Sequence, residues 1–548
     1  MTRPIALFCS LLALVPACDS ADGDLLELGE GDLTKGGAFG KADSSVQAVI
    51  VDIEFDGSVL ATSSFSAQST IDTQLLYTIG QLNGDNSVGR LDQADVEITS
   101  TQSAGNGLTR VNYHVRMPVA WGKKNAVPAT YELRLPADAT FDGQEAFTEK
   151  YSHSCVDFGA HDVDSGSMWY YYRPRRSGCT LAEGDIVRTT ATVAVSSVNT
   201  TGKYPEYDKV WEDDVLQVVA VFGKYEDFAT SSSDAGISAF NRFHSAIKQE
   251  LGQFGVVTEP ANVGSSPGVA TPDITYTAEL PDGKSIEVHA LLVDNVRTAG
   301  AAFDARYAEL SSRADFIAYS GHAGLGANIR ALARKGEWVS GQYVIVFQNG
   351  CDTYAYVDSA LWDAHSAINA DDPTGTKYVD ILNNAMPSFF SEMPNGSMAI
   401  IRGLLSYDDP QTYEQIMTHI DSDEVVLVTG EQDNVFVPGG GGDDGDDDVV
   451  TSWTGMEESG TVAKNQEVRF ATPKLAAGRY VFELTGTADA DLYVRTGTAP
   501  TEESFECRPF KSGSNESCAV ELTTPATIHV MVRGWASSSS WELRGTEE

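Results

Sequence analysis

The first regular pattern in the chain is an alternation of apolar and polar residues with a period of two. It is seen in Val49-Ile-Val-Asp-Ile-Glu-Phe, Asp95-Val-Glu-Ile and Thr189-Thr-Ala-Thr-Val-Ala-Val, with Gly, Asn and Asp turns between such segments. Alternation of this kind is typical of antiparallel sheets with one face on a core. It predicts an N-terminal antiparallel β domain over residues 46–205, built as a sandwich.

Beyond residue 205, short apolar runs alternate with segments of helical period. A helix begins near Asp234, carries Ile237, Phe240, Ile247 and Leu251 on one stripe and stops at Gly252. Further helices are predicted around Phe303–Leu310, at Asn328–Arg334, at Lys377–Met386 and after Asp409-Pro410. Strands are predicted at Val215–Phe222, Ile274–Leu280, Ile286–Val293, Ser397–Gly403 and Glu424–Val428, and before His322 and Cys351. This alternation predicts an α/β domain with a mostly parallel sheet over 206–437.

A stretch of Gly and Asp, Pro438-Gly-Gly-Gly-Gly-Asp-Asp-Gly-Asp-Asp-Asp448, separates this region from an all-β segment over 451–548. We interpret 438–450 as a solvated linker because it lacks the ligand spacing of an EF-hand loop. Structural calcium there is an alternative that nothing in the spacing supports, and no cofactor is expected.

The N-terminal end has the pattern of an export signal. Arg3 precedes an apolar run over 4–15 that is too short to span a bilayer, and the run ends at Pro16-Ala-Cys18. Because this ending resembles a bacterial lipoprotein signal, we expect 1–17 to be removed and Cys18 to carry a lipid, with plain secretion as the alternative. Residues 18–45 are rich in Gly, Asp and Glu and predict a flexible tether.

The charge balance limits the partners of the chain. Its 548 residues carry a formal net charge of -41, and neither nucleic acid nor an anionic membrane is bound without a basic patch. No nucleic-acid partner is therefore expected, and membrane contact only through the lipid anchor.

Export makes the seven cysteines informative, since disulfides persist outside the cytosol. Apart from Cys9 and Cys18, four cysteines form two locally spaced pairs, which predict disulfides Cys155-Cys179 and Cys507-Cys518. Cys351 is left over. An unpaired thiol in an oxidising compartment indicates a chemical role more than packing.

Two short apolar runs end in residues of interest for catalysis: one leads into Ser320-Gly-His322-Ala-Gly and the other into Asn349-Gly-Cys351-Asp-Thr. Such runs predict strands buried on both faces of a parallel sheet, and neighbouring strands would present both side chains at one edge of it. The interval between the motifs is long enough for one helix and a right-handed return.

These motifs resemble the clan of cysteine peptidases that includes caspases, legumain and gingipains, over about Val215 to Val428. The resemblance implies that Cys351 attacks the scissile carbonyl and that His322 serves as base or proton donor. The backbone N–H groups of Cys351, Ala323 and Gly324 would then be candidates to stabilise the oxyanion. This chain has Ala323 where the family has Gly. In the alternative interpretation, His322 caps a turn and Cys351 only packs.

The last segment also carries a resemblance. Thr485-Gly-Thr-Ala-Asp-Ala-Asp-Leu-Tyr-Val-Arg, Cys507-Arg-Pro-Phe, Ser514-Asn-Glu-Ser-Cys and Met531-Val-Arg-Gly-Trp are similar to the bacterial pre-peptidase C-terminal domain, over about Thr461 to Arg544. The resemblance implies a small jelly-roll-like sandwich, found behind many secreted peptidases and without catalysis of its own.

Other polar clusters carry less weight. His153, Asp157, His161, Asp162 and Asp164 match no zinc spacing, so we interpret them as a polar surface loop and expect no metal site. Asp363 and His365, which follow Cys351, receive no assigned role.

The sequence therefore predicts an exported, lipid-anchored cysteine endopeptidase that acts on polypeptides. The alternative is a non-catalytic surface lipoprotein that binds proteins or glycans through a degenerate peptidase-like domain.

Overall fold

The computed structural model describes residues 43–160, 163–438, 453, 455–464, 466–472, 475–497, 500–501 and 504–547. The chain divides into two compact units, residues 1–442 and 443–548. The export signal, the lipidation of Cys18, most of the tether and the acidic linker are predictions that lie outside the described residues. Asp43–Ser45, which the sequence assigns to the tether, form a strand.

The described strands of the first unit are β1 (Asp43–Ser45), β2 (Val49–Ala61), β3 (Ser87–Gly89), β4 (Asp95–Gly105), β5 (Leu108–Trp121), β6 (Thr130–Pro136), β7 (Ile186–Val195), β8 (Val215–Gly223), β9 (Val257–Glu259), β10 (Asp273–Glu279), β11 (Ser285–Val293), β12 (Phe316–Ser320), β13 (Val344–Asn349), β14 (Val379–Asn384) and β15 (Val426–Thr429). Its described α-helices are α1 (Ala67–Asn83), α2 (Phe141–Tyr151), α3 (Met168–Tyr171), α4 (Tyr207–Val210), α5 (Ala235–Leu251), α6 (Ala301–Ser311), α7 (Ala327–Lys335), α8 (Ala360–Ile368), α9 (Met393–Leu405) and α10 (Tyr413–Met417). None of the helices described in either unit is long and apolar enough to cross a membrane.

The N-terminal part is an antiparallel sheet covered by helices. Over the described residues the order is β3-β5-β2-β7-β6, with β4 paired to β5, and these pairs are antiparallel. The antiparallel pairing agrees with the period-two pattern. The predicted sandwich is wrong, because helix α1, and not a second sheet, packs against β2, β3 and β6.

Helix α1 was not predicted from the sequence. Polar side chains occupy part of its buried face. Gln74 donates its amide N–H groups to the carbonyl oxygens of Ser58 and Pro136 at 2.9 and 2.6 Å, and it accepts from the Tyr113 hydroxyl at 2.5 Å. Gln81 likewise donates to the Glu132 carbonyl at 2.7 Å. Burial of these amides is tolerated because their hydrogen bonds are made inside the protein. The buried apolar stripe of Ile71, Leu75, Ile79 and Leu82 lies beside these polar residues, so the helix carries both.

The central part is built on a nine-stranded sheet over the described residues, in the order β1-β15-β14-β13-β12-β8-β11-β10-β9. The pairs β14-β13, β13-β12, β12-β8 and β8-β11 are parallel. Both edges are antiparallel, with β1 and β15 on one side and β10 and β9 on the other. The parallel centre is what brings the ends of β12 and β13 to one edge.

Several central elements follow their sequence signals. Asp234 caps α5 by accepting a hydrogen bond from the Ile237 backbone N–H at 2.9 Å, and the predicted stripe of Ile237, Phe240, Ile247 and Leu251 is buried. A side-chain oxygen at this position satisfies one of the N–H groups left open at a helix start. The helix prediction made from the cap and the stripe is confirmed.

Two neighbouring predictions are wrong. Lys377–Met386 was expected to be a helix and contains strand β14, while Ser397–Gly403 was expected to be a strand and lies within α9. The polar residues of β14 disguise it, since Asp380 is buried and accepts hydrogen bonds from the hydroxyls of Tyr343 and Tyr413 at 2.5 Å. Most residues of helix α9 are buried between the sheet, α5 and α10. Its sequence is therefore apolar throughout, like that of a buried strand.

The C-terminal unit is a β-sandwich with its own core. Its described strands are β16 (Met456–Ala463), β17 (Glu467–Ala471), β18 (Gly478–Gly486), β19 (Ala490–Thr496), β20 (Glu516–Leu522), β21 (Ile528–Gly534) and β22 (Ser538–Glu547). Among the residues described there, β16-β22-β18-β20 and β17-β21-β19 form two sheets. Leu492, Val494 and Val530 from one sheet and Phe482 and Leu543 from the other belong to the shared core.

Both locally spaced cysteine pairs form the predicted disulfides, Cys155-Cys179 and Cys507-Cys518, with sequence separations of 24 and 11. The first closes a loop that contains α3, whose residues Met168, Trp169, Tyr170 and Tyr171 are buried. This covalent link limits the freedom of the unfolded chain around that cluster.

We expect the Cys155→Ala/Cys179→Ala variant to lose on the order of 3 kcal/mol in the free energy of unfolding, from the loop-closure entropy. Urea unfolding under non-reducing conditions, followed by circular dichroism, measures it. Cys507→Ala/Cys518→Ala, which opens a shorter loop, is the matched control and should lose less. An unchanged midpoint for the first variant would contradict the prediction.

Candidate functional site

The carboxyl edge of the parallel strands brings the two predicted motifs together. Ser320 at the end of β12 is paired with Asn349 at the end of β13, and the Gly321 N–H donates to the Asn349 carbonyl at 3.2 Å. A Cβ atom on Gly350 would lie 2.8 Å from the Gly321 carbonyl oxygen. The loops that carry His322 and Cys351 are therefore in contact, and position 350 has no room for a side chain.

His322 is buried next to two aromatic rings. Its side chain is 5% exposed, and its ring lies 5.1 Å from the ring of Tyr225 and 5.2 Å from that of Phe390. Its Nε2 atom is 2.9 Å from the Tyr225 carbonyl oxygen, to which an N–H at this position donates. The backbone carbonyl of His322 accepts from the Tyr319 hydroxyl at 2.7 Å and from Asn328 at 2.9 Å. These contacts hold the ring inside the protein.

Cys351 is disulfide-bonded. The residue is 2% exposed, and its sulfur lies 3.6 Å from the Ser388 carbonyl oxygen. A nucleophilic cysteine acts as a thiolate. A sulfur in a disulfide has no thiolate form. The prediction that Cys351 is an unpaired thiol is therefore wrong.

Asp352, directly after Cys351, is a buried acidic residue of this edge. Its backbone is left-handed, with φ 51°, and its side chain is fully buried. The carboxylate accepts a hydrogen bond from the Asn83 amide at 2.5 Å. Burial raises the pKa of Asp352 to about 7, against the lowering effect of a hydrogen bond with Tyr170 and of the Arg173 charge. Aspartate is one of the few residues other than glycine that adopt left-handed backbone readily.

The groups that meet Asp352 come from the N-terminal part of the same unit. Arg173 donates to the Asn83 side-chain oxygen at 2.9 Å and to the Gly80 carbonyl at 2.7 Å, and it pairs with Asp157 at 3.2 Å. Gly80 is required for this approach, since a Cβ there would lie 2.2 Å from the Trp169 carbonyl oxygen. The end of α1 and the α3 segment therefore cover the carboxyl edge near Asp352.

Of the other predicted site residues, Ala323 and His365 are buried. Ala323 is 3% exposed, and Gly324 has φ 57°. His365 is fully buried against Trp338, with ring centres 5.3 Å apart, and burial lowers its pKa to about 4.

Among the remaining polar candidates, His153 is exposed, and the others have structural partners or are not described. The Asp363 carboxylate accepts from Ser359 at 2.6 Å. Asp164 accepts from the Ser167 backbone at 2.8 Å, while His161 and Asp162 lie outside the described residues. No group of three or more His, Cys, Asp or Glu residues in the described ranges is arranged to hold a metal ion.

Comparison with known proteins concerns the C-terminal unit. Residues 459–534 match the bacterial pre-peptidase C-terminal domain, which confirms that resemblance. A segment of 59 residues is 49% identical to a virulence metalloprotease of Vibrio anguillarum, covering 11% of this chain and 10% of the relative. Similar segments are 48% identical to a zinc metalloprotease of Helicobacter pylori, over 11% of this chain and 23% of the relative, and 36% identical to alkaline serine exoprotease A of Vibrio alginolyticus, over 17% of each.

One solved structure, described as the solution structure of vEP C-ter 100, is 37% identical, with a TM-score of 0.14, and covers 15% of this chain and 83% of its own. The curated relatives named above match only the pre-peptidase region, and the chain spans a tenth to a quarter of their lengths.

The prediction of a cysteine endopeptidase is contradicted. The similar proteins are named as metalloproteases and a serine exoprotease, and in the structure Cys351 is a buried disulfide sulfur. The resemblance of the central part to the caspase, legumain and gingipain clan is not shown. The oxyanion role of the Cys351, Ala323 and Gly324 N–H groups was inferred from that resemblance, and it stays a prediction.

Sequence reasoning missed Asp352, Asn83, Tyr170 and Arg173. The signal for Asp352 is local, since a carboxylate follows Gly350-Cys351 at the end of a buried strand, where ligand-binding or strained residues are common. The signal for its three partners is absent, because they belong to a part of the chain more than one hundred and fifty residues away.

We expect Asp352→Asn to remove a pH dependence of stability. The folded-state pKa of about 7 lies above the unfolded value near 4, so the folded protein retains a proton between these values and its stability falls as the pH rises through this interval. The variant should gain about 1.4 kcal/mol per pH unit over the wild type across the window. Urea unfolding between about pH 4 and about pH 8 measures the difference. Parallel curves for the two proteins would contradict the assignment, and Asp363→Asn on the exposed side of α8 is the control.

We also expect Cys351 to resist alkylation by iodoacetamide in the native, unreduced protein, because it is disulfide-bonded and buried. Peptide mapping by mass spectrometry should find Cys351 unlabelled before reduction under denaturing conditions and labelled afterwards. Labelling of the native protein would show that the sulfur is a free and accessible thiol.

Proposed function

We propose that this protein is an exported peptidase that acts on polypeptide substrates by chemistry that does not use Cys351. The observation that carries the proposal is the pre-peptidase C-terminal domain at residues 459–534. The relatives that share this segment are named as proteases of more than one catalytic class. The segment thus accompanies proteolysis without specifying its mechanism, and the proposal assigns no catalytic class.

Export is supported by covalent chemistry. Cys155-Cys179 and Cys507-Cys518 are disulfides in separate units, and Cys351 is disulfide-bonded as well. Such bonds form and persist in oxidising compartments. The net charge of -41 favours solubility and disfavours adsorption to anionic lipid.

A second candidate is an exported protein that binds polypeptides without hydrolysis. The closure of the carboxyl edge, where α/β folds place their ligands, counts against hydrolysis there and leaves binding to another surface of the protein. His322, Cys351 and Asp352 are all buried there, and the N-terminal part of the unit supplies the groups that meet Asp352. A site closed in this way offers no access for a polypeptide.

Hydrolysis of fluorescein-labelled casein by the purified full chain tests the proposal. We expect product to form at a rate that Cys351→Ala and iodoacetamide each change by less than about twofold, because neither touches the catalytic group. A chelator and a serine-directed sulfonyl fluoride, applied in parallel, identify the catalytic class. Circular dichroism of the variant controls for loss of the fold.

Each outcome has a distinct meaning. Binding of casein without any product would replace the first proposal by the second. Hydrolysis abolished by iodoacetamide, in a protein whose fold is intact, would contradict the exclusion of Cys351.

A further inference from the structure

Strand β4 of the N-terminal sheet has an open edge. It pairs with β5 along one side, from Asp95 opposite Arg116 to Gly105 opposite Leu108. Among the described residues, no side chain or loop makes a hydrogen bond to the other side of its backbone. Its residues are exposed almost throughout. Such an edge is a row of unpaired N–H and C=O groups, which can pair with another extended chain.

The opposite edge of the same sheet, strand β6, is closed by side chains. Gln81 of helix α1 donates to the Glu132 carbonyl at 2.7 Å and accepts from the Arg134 backbone N–H at 3.0 Å. The Tyr172 hydroxyl donates to the Arg134 carbonyl at 2.9 Å. The fold therefore satisfies the outer backbone groups of β6 internally and leaves those of β4 in water.

One face of β4 belongs to an acidic surface. Asp95 lies opposite Arg116 and Glu97 opposite His114, and residues directly opposite each other in a sheet share a face. Glu54 of β2 also lies opposite Arg116 and is on this face. A shallow depression of the surface is lined by these side chains: Glu54, Asp95, Val96, Glu97, His114 and Arg116.

The cations of this surface already have partners. Arg116 is paired with Asp52 at 2.8 Å, and His114 lies between two carboxylates, at 2.9 and 3.0 Å from them. The carboxylates of Asp95 and Glu97 are exposed and make no ion pair or hydrogen bond with any other described residue. Unpaired carboxylates beside an open strand edge attract basic side chains.

The other face of β4 extends the hydrophobic core to the edge. Val96 lies opposite Val115 and Ile98 opposite Tyr113, and both residues of β5 are buried. Ile98 itself is 40% exposed. A further strand beside β4 would cover this side chain with an apolar residue and remove it from water.

We propose that the edge of β4 is a docking site for an extended polypeptide segment in which basic and apolar residues alternate. The segment adds a strand to the sheet and places its basic side chains near Asp95 and Glu97 and its apolar side chains near Val96 and Ile98. In strand addition of this kind, backbone hydrogen bonds provide affinity and alternate side chains provide specificity. The site does not require the proposed peptidase activity.

The register of β4 limits where the partner pairs. Shifts occur between Ile98 and Ser100 and between Ser103 and Gly105, and such irregularities twist an edge away from a straight partner. Pairing is therefore centred on Asp95–Ile98. A second copy of the chain is disfavoured as the partner, because its own acidic β4 and its net charge of -41 repel this surface.

The test uses the full-length protein and a fluorescein-labelled peptide of about ten residues that alternates lysine and valine. Binding is followed by fluorescence anisotropy on ice, and mass spectrometry verifies that the peptide stays intact. We expect a peptide with glutamate in place of lysine to bind at least about tenfold more weakly, because it meets like charges. Equal binding of the two peptides would overturn the proposal.

Backbone pairing is tested with two methylated peptides, one with methyl groups on all lysine backbone nitrogens and the other on all valine backbone nitrogens. Alternate N–H groups of a strand point to opposite edges, so only one of these peptides has its bonding edge blocked. We expect that one to lose binding and the other to retain it. Equal binding of both would show attraction by charge alone and overturn strand addition.

Protein variants locate the site. We expect Glu97→Lys and Asp95→Lys each to weaken binding of the lysine–valine peptide by about tenfold, through loss of attraction and gain of repulsion. Glu145→Lys is the matched control, since Glu145 is exposed on α2 and the change in net charge is the same. Circular dichroism verifies the fold. Equal effects of all three variants would place the attraction in the net charge and overturn the assignment to β4.

Sedimentation velocity tests the second copy as an occupant. We expect the wild type and Glu97→Lys to sediment alike as monomers at micromolar concentration. A wild-type dimer that Glu97→Lys dissociates would overturn the proposal, because a second copy would then occupy the edge.

Discussion

The carboxyl edge of the central sheet depends on one constraint: a carboxylate removed from water must find its hydrogen bonds inside the protein. Asp352 meets this constraint in part, through Asn83 and Tyr170, while its Oδ2 atom is buried without a hydrogen-bond partner. Arg173 holds the Asn83 side chain. These partners all come from the N-terminal part of the chain. The constraint therefore joins the antiparallel sheet to the α/β sheet in one unit.

The same closure decides the chemistry of the edge. Strands β12 and β13 place the His322 and Cys351 loops in contact, which is the geometry that a thiol and an imidazole would need. Contact alone does not make a catalytic site, since a nucleophile also needs a free sulfur and a path for substrate. Burial of both residues and the disulfide at Cys351 remove these conditions.

The fold was predictable wherever a residue acts through its near neighbours in sequence. Asp234 caps α5 three residues ahead, and the stripe behind it is buried as expected. Strands β8, β10 and β11 lie where short apolar runs end in Gly or turn residues. Strand β14 was not predictable in this way, because its buried carboxylate is bonded to distant residues and masks the hydrophobic period. In helix α1, buried amides bonded to distant residues accompany an apolar stripe that the period-two interpretation of this region overlooked. Pattern arguments assume that polar residues face water.

For the functional regions, the sequence alone determined the two local disulfides and the pre-peptidase C-terminal domain. The disulfides depend on the spacing of nearby cysteines, and the domain depends on a contiguous set of motifs. It also placed His322 and Cys351 at the ends of adjacent strands. Only the tertiary structure decided that these residues are enclosed and that Cys351 is oxidised. The physical reason is that access, burial and disulfide partnership are set by distant segments, which carry no local signal at the residues they cover.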